Sequence, residues 1–318
     1  MASNYITNVA IVGAGGNCGS FMAEALLKTG KHTITALTRE GSQSKLPSGV
    51  ISKSIDYGKI ETIVEALKGQ EALIITVPGQ APEGTELNLV KAAAEAGVKW
   101  ILNDWCPDTL NEELVRDVNI FQPKVAIRKS ISDLGVSNYI SVSTGFWYEW
   151  SLAIPVAYGI DLINHTATLF DEGDVKITTS TWPQVGRAVA GILSLPIKAE
   201  NSKVSLENLK NQVVYVKSFT VSQKDMLESV YRVTGTKEAD WTITKESSTE
   251  RYTNGLKEMY EGSRAGFAKM LYTRVFYPDG CGDIEHKGTI NELLGLPTED
   301  IDAATWAAID RAKTIPWS

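Results

Sequence analysis

The apolar run Val9-Ala-Ile-Val12 leads straight into Gly13-Ala-Gly15-Gly16-Asn17-Cys18-Gly19, and a segment of helical period follows to about Thr29, with Gly30 as its stop. A buried-type strand that turns on glycine into a helix brings main-chain N–H groups and the positive end of the helix dipole to one place, which suits a diphosphate. Gly13 permits the tight turn, Gly16 lets an anion approach the backbone, and Gly19 lets the helix pack close to the strand. Glycines at this spacing also occur in bare turns. Their position in the first strand-to-helix turn of an alternating series is what favours dinucleotide binding, with Asn17 and Cys18 at the helix start as further contacts.

That series is regular. Strand patterns fall at Asn8 to Val12, His32 to Leu37, Val50 to Ile55, Ala72 to Val77, Val98 to Leu102 and Asn138 to Val142, separated by helical patterns from about Asn17 to Thr29, Lys59 to Lys68, Glu83 to Ala96 and Phe121 to Leu134. The succession predicts an α/β fold with a doubly wound parallel sheet of Rossmann type. After Ser143 the alternation fails and Phe146, Trp147, Tyr148, Trp150 and Tyr158 crowd together. Strand candidates at 167–170 and 213–216 and helices near 184–193, 222–233 and 249–271 follow. The expected organisation is a dinucleotide-binding domain over 1–150 and a smaller α+β substrate-binding region over 151–318, partly interleaved with the sheet.

Composition removes other classes. Hydrophobic residues make up 43% and charged residues 22% of the 318, which excludes disordered and fibrous chains. The net charge of −7, with no block of Lys and Arg, argues against a nucleic-acid surface. Cys18, Cys106 and Cys281 are too few and scattered for a disulfide scaffold, which points to a reducing compartment. Met1 to Thr7 lacks the basic start of a signal peptide, and no stretch approaches the roughly 18 apolar residues of a membrane span. A cytoplasmic monomer or homodimer without a membrane partner is expected. His32, His165 and His286 lack metal-pair spacing, and no Gly-x-Ser-x-Gly elbow is present, so neither a metal site nor an α/β-hydrolase is expected.

The end of the second strand selects the dinucleotide. Thr38-Arg39 offers a guanidinium for a 2′-phosphate where NAD sites place an acid, and Ser42, Ser44 and Lys45 follow as donors, so NADPH/NADP is the expected cofactor. Glu40 counts against this, since it is itself an acceptor for a ribose, and a solvated Arg39 is the plain alternative. Asp56 after the third strand is a candidate for the adenine, or an exposed turn aspartate. Val77, the last residue of the fourth strand, and Pro78 after it complete the expected cofactor contacts. No tyrosine has a lysine four residues later, so the usual proton-transfer pair of short-chain reductases is absent.

Gly13-x-x-Gly16-x-x-Gly19, Thr38-Arg39, Val98-Lys-Trp-Ile-Leu-Asn103-Asp104-Trp105-Cys106-Pro-Asp108 and Lys124-Val-Ala-Ile-Arg128-Lys129 together resemble the NmrA-like, isoflavone-reductase-like branch of atypical short-chain dehydrogenases, well over 8–146 and more weakly through 178–189. The tail from Tyr272 is similar to fungal members, which implies secondary metabolism. In reductases of this branch a lysine opening the helix before strand six is the catalytic group beside the nicotinamide, and Lys124 matches it. Partial desolvation is expected to lower its pKa and let it act as general acid or base. On pattern alone, Lys124, Arg128 and Lys129 also read as the wet face of an amphipathic helix with Val125 and Ile131 inward. Where relatives read Ser-Glu-Trp-Gly this chain has Asn103-Asp104-Trp105-Cys106, so a loop beside the nicotinamide is expected to differ. Trp105, Phe146, Trp147 and Tyr148 are expected to wall a flat pocket for a small aromatic substrate, although any one ring is as readily core. His165 is a second polar candidate there, or a structural histidine. The function implied is NADPH-dependent reduction of an aromatic, enone or quinone-like metabolite. Rival readings are an NADP-binding redox sensor without turnover, and an isomerase or dehydratase on the same fold.

Overall fold

A computed structural model describes residues 3–79, 81–199 and 204–314. In the first half, β1 (Asn8–Val12), α1 (Gly19–Lys28), β2 (Thr33–Arg39), β3 (Ile51–Ile55), α2 (Ile60–Leu67), β4 (Ala72–Ile75), α3 (Thr85–Ala96), β5 (Trp100–Cys106), α4 (Glu112–Asp117), α5 (Gln122–Leu134) and β6 (Asn138–Ser143) follow one another. Strand propensity and burial agree along β1. Val9 and Ile11 pack on the face that carries α1, while Ala10 and Val12 pack on the face that carries α2, α3 and α5.

The second half contains β7 (Phe146–Trp147), α6 (Tyr148–Leu152), α7 (Pro155–Tyr158), β8 (Ile160–Asp161), β9 (Thr166–Phe170), β10 (Ile177–Ser180), α8 (Trp182–Leu193), α9 (Leu206–Leu209), β11 (Gln212–Tyr215), β12 (Phe219–Val221), α10 (Gln223–Thr234), β13 (Thr242–Glu246), α11 (Ser248–Tyr260), α12 (Arg264–Thr273) and α13 (Ile301–Thr314). The main sheet runs β11-β6-β5-β4-β1-β2-β3, with every neighbouring pair parallel. Strand order therefore reverses between β1 and β4, and the crevice outside their carboxyl ends is where open α/β sheets bind ligands. Two three-stranded sheets, β12-β10-β7 and β13-β9-β8, carry the rest.

The expected doubly wound parallel sheet is the fold observed, with a seventh strand, β11, supplied from beyond residue 150. A division at residue 150 falls inside α6, and α8 packs on α1. Among the elements that differ from the sequence reading, two have a plain physical cause. β5 runs to Cys106 rather than ending at Leu102, because Asn103 and Asp104, polar and loop-like on paper, are buried within the strand. The single helix expected over 249–271 is two. Gly262 at φ +88° ends α11, and the Ser263 side chain accepts from the Gly266 N–H to start α12.

The α11–α12 hairpin closes on glycine: a Cβ at Gly266 would lie 2.4 Å from the Glu258 Cβ and 2.6 Å from the Met259 nitrogen. Gly266→Ala is therefore expected to lower stability by about 1–3 kcal/mol, read as an earlier urea midpoint with unchanged slope. An unchanged midpoint would show that the hairpin opens at little cost.

Candidate active site

The glycine turn sits at the switch point and is built by steric exclusion. Thr76, just past β4, donates its hydroxyl to the Val12 carbonyl at 2.7 Å. A Cβ at Gly13, whose φ is +86°, would lie 2.2 Å from that hydroxyl oxygen, and a Cβ at Gly19 would lie 2.1 Å from the Gly13 carbonyl. Gly16 N–H donates to Gly13 O at 2.9 Å and closes the turn. Apart from that carbonyl, a Cβ on Gly16 would meet nothing. No side chain caps α1 and no acid occupies its first turn, so its positive end is left for an anion. A turn open at Gly16 and crowded behind Gly13 and Gly19 fits a dinucleotide diphosphate. The Cys18 thiol lies buried on the inner side, its pKa pushed up by burial and by Glu149, so its part in the cradle is its main chain.

Beside the turn, Arg39, Glu40, Gly41, Ser42, Gln43 and Ser44 line a concavity of about 410 Å³, and Lys45 is exposed next to it. A Cβ at Gly15 would touch Ser44, so this loop lies against the glycine turn. The guanidinium, amide and hydroxyl donors suit a phosphate. Two of the expected contacts have side chains engaged with other partners. The Thr38 hydroxyl is engaged with Ser52 and the Lys53 carbonyl of β3, at 3.2 and 3.4 Å. The Asp56 carboxylate accepts from Gly58 N–H at 2.9 Å and pairs with Lys59, so it serves its own turn. Val77 packs beside the α2–α3 core, and the Pro78 carbonyl accepts from Ala81 N–H.

Two strands along from the Gly13 turn, about 10 Å at ordinary strand spacing, the end of β5 carries a layer of charge. Lys124, in the first turn of α5, lies 3.1 Å from Glu86, in the first turn of α3; both are largely buried. One turn later Arg128 is 6% exposed and bonded to Asp104 at 2.5 Å and to the Thr109 hydroxyl at 2.6 Å. Lys129 alone of the three basic residues is on the wet face, paired with Asp133, and Val125 points outward rather than inward. Asp104 and Trp105 have φ of +86° and +57°, where β5 slips register against β6. This strained bulge turns the Asp104 carboxyl into the protein. Its Oδ1 has no partner among the described residues, and burial pushes its pKa up against the pull of Arg128.

For Lys124, burial acts to lower the pKa, but Glu86, Cys106 and Asp104 outweigh it and the value lies above the ordinary lysine range. This corrects the expected lowering. The amine is held as ammonium, a proton donor and an anion's partner.

The four expected aromatic walls separate. Phe146 is half-buried and lies 4.3 Å from the Tyr272 ring, and Trp147 is half-buried and tilts on Trp182 at 6.0 Å. Both follow the carboxyl end of β6. Tyr148 is instead core: fully buried, its hydroxyl 2.8 Å from Thr305 and its ring edge-on to Phe219. Trp105 is buried too, its indole N–H spent on the Ile75 carbonyl at 2.7 Å. His165 stacks on Trp241 beside the outer β13–β9–β8 sheet. Thr76, Glu86, Asn103 and Ser141 were not singled out from sequence. A hydroxyl or amide inside a buried strand run was the available signal for Asn103 and Ser141, whereas Glu86 looks like any acid in a helix's first turn. Among the described residues no group of His, Cys, Asp and Glu is arranged to hold a metal, and no helix is long and apolar enough to cross a membrane.

An open parallel sheet with a glycine turn at its switch point is the class to which this site belongs. Residues 6–208 match the NmrA-like family, and the chain belongs to it. It is 28% identical to the oxidoreductase aprR of Aspergillus flavus over 302 residues, covering 92% of this chain and 96% of that protein. It is 24% identical to quinone oxidoreductase 2 of Escherichia coli, covering 96% and 92%. Among solved structures, leucoanthocyanidin reductase of Vitis vinifera with NADPH superposes with a TM-score of 0.72 at 15% identity, over 95% of this chain and 99% of that one.

Arg128→Met should cost about 3–5 kcal/mol in urea unfolding, because it strands the buried Asp104 carboxylate. Lys129→Met, on the wet face, should change stability by under about 0.5 kcal/mol. Equal losses would show that the Arg128–Asp104 pair is not the clamp described.

Proposed function

We propose that the chain is an NADPH-dependent oxidoreductase that reduces a small aromatic, enone or quinone-like molecule, with Lys124 as the proton donor. The observation that carries this reading is an ammonium, largely buried and held charged, at the carboxyl edge of the same sheet that bears an open diphosphate cradle. Support comes also from the relatives: the fungal proteins similar over 90% or more of their length are called oxidoreductases, and E. coli quinone oxidoreductase 2 has been solved with NADPH. A structural neighbour at 17% identity, AtPrR2, was solved with NADP+ and (+)-pinoresinol, which supports an aromatic ligand. The tailoring of a secondary metabolite is the setting we infer.

Bound NADPH supplies a hydride. The main-chain N–H groups from Asn17 to Gly19 and the positive end of α1 would hold its diphosphate, which the bare Gly16 lets approach, and Arg39 with Ser42 and Lys45 its 2′-phosphate. Lys124 Nζ carries the proton for the substrate oxygen that gains negative charge, and its ammonium stabilises that charge before transfer. Phe146 and Trp147 offer a ring face to the substrate and keep water from it. Tyr148, enclosed in the core, has no part in this.

Two substitutions test the reading with 1,4-naphthoquinone as acceptor. Lys124→Met should lower kcat by about 100-fold or more, the ordinary contribution of a general acid, and Arg39→Ala should weaken NADPH binding by about tenfold while leaving NADH binding alone. Full turnover by Lys124→Met removes the proposed acid. Unchanged NADPH affinity in Arg39→Ala removes the phosphate assignment.

A further inference from the structure

Resting on the reading that Lys124 faces the reacting atoms, we propose that Glu86 is a positioning residue that keeps Lys124 in its ammonium form. It would thereby hold the amine as a proton donor further into the basic pH range, a restriction that suits acceptors whose reduction leaves an oxyanion, such as enones and quinones.

The geometry is a chain of four residues from four elements. In the parallel β5–β6 register Ser141 stands opposite Asn103, and its hydroxyl donates to Asn103 Oδ1 at 2.7 Å. That bond turns the Asn103 amide nitrogen toward α3, where it donates to Glu86 Oε1 at 3.4 Å. The other carboxylate oxygen, Oε2, takes Lys124 Nζ at 3.1 Å. Ser141 and Asn103 are wholly buried, and each has its partner, as most buried polar groups do. Glu86 stands in the first turn of α3, where the helix dipole favours a negative charge. The charged and titratable groups around Lys124 are Glu86 from α3, Asp104 and Cys106 from β5, and Arg128 from its own helix. Asp104 is already bonded to Arg128 and Thr109, which leaves Glu86 as the direct counter-ion of Lys124.

For an enone the chemistry closes as follows. Hydride from NADPH brings two electrons and forms a C–H bond at the β-carbon, NADPH becomes NADP+, and the displaced π pair settles on oxygen as an enolate. Lys124 Nζ then gives up one proton, forming the enol O–H bond, and the neutral amine regains a proton from water. Beside Glu86 the amine is charged again before the next turnover, so it is an acid at the start of every cycle. A base-initiated isomerisation or dehydration needs the opposite state.

The test uses the cofactor-free protein with 15N-labelled lysine, the Lys124 side-chain resonance being assigned through Lys124→Arg. Glu86→Gln keeps the shape and removes the charge, and should lower the Lys124 titration midpoint by about one to two pH units. The basic limb of the kcat profile with NADPH and 1,4-naphthoquinone should fall by the same amount. Glu86→Asp should recover part of the shift, and Ser141→Ala should move the midpoint in the same direction by less. A Lys124 midpoint unmoved in both Glu86→Gln and Ser141→Ala overturns the inference even when Lys124→Met abolishes turnover, and the reduction reading then stands without it. Full turnover in Lys124→Met overturns that reading and the substrate restriction together, however the midpoint behaves.

Discussion

The Thr76 hydroxyl bonded to the Val12 carbonyl draws the ends of β4 and β1 together, and that contact leaves no volume for a Cβ at Gly13, whose own carbonyl in turn leaves none at Gly19. Every later feature is placed by it. Because the turn must be glycine, α1 starts hard against the sheet and points its uncapped end into the switch-point crevice. Because β4 is β1's neighbour and β5 is next beyond, the charged layer at the end of β5 lies along the same carboxyl edge of the sheet, two strands from the turn.

That layer trades stability for placement. Glu86, Asp104 and Asp108 are matched by Lys124, Arg128 and Lys287, and most of these groups are out of solvent. Buried ion pairs are seldom more stabilising than apolar residues of the same size, but breaking one is costly, so they hold geometry firmly. Asp108 also receives the Tyr215 hydroxyl from β11, and Lys287 lies over the Tyr215 ring. The layer thus ties the main sheet to chain beyond residue 280. The strain at Asp104 and Trp105 is held by the same bonds, with Arg128 on one side and the Ile75 carbonyl on the other.

The sheet was legible because strands buried on both faces are plain apolar runs, and β1 and β4 read that way without ambiguity. The glycine turn was legible because its steric needs are written in residue types. β5 was cut short because Asn103 and Asp104 break the apolar run, and only the partners that reach them from α3, β6 and α5 let these polar side chains lie buried in the strand. Glu86 was invisible because nothing local separates an acid facing Lys124 from one facing water, and the pKa of Lys124 was expected in the wrong direction for the same reason. Tyr148 and Phe146 look alike in sequence. Only the packing of α13, which brings Thr305 to the Tyr148 hydroxyl, sends one ring to the core while the other keeps an exposed face.

The most direct test of the whole account is a crystal structure with NADP+. The account requires the diphosphate against the main chain of Gly16 to Gly19, and the nicotinamide ring on the β5 side of the crevice with Lys124 Nζ in reach directly or through one water. A diphosphate bound elsewhere, or a Lys124 ammonium turned to bulk solvent away from the ring, would contradict it.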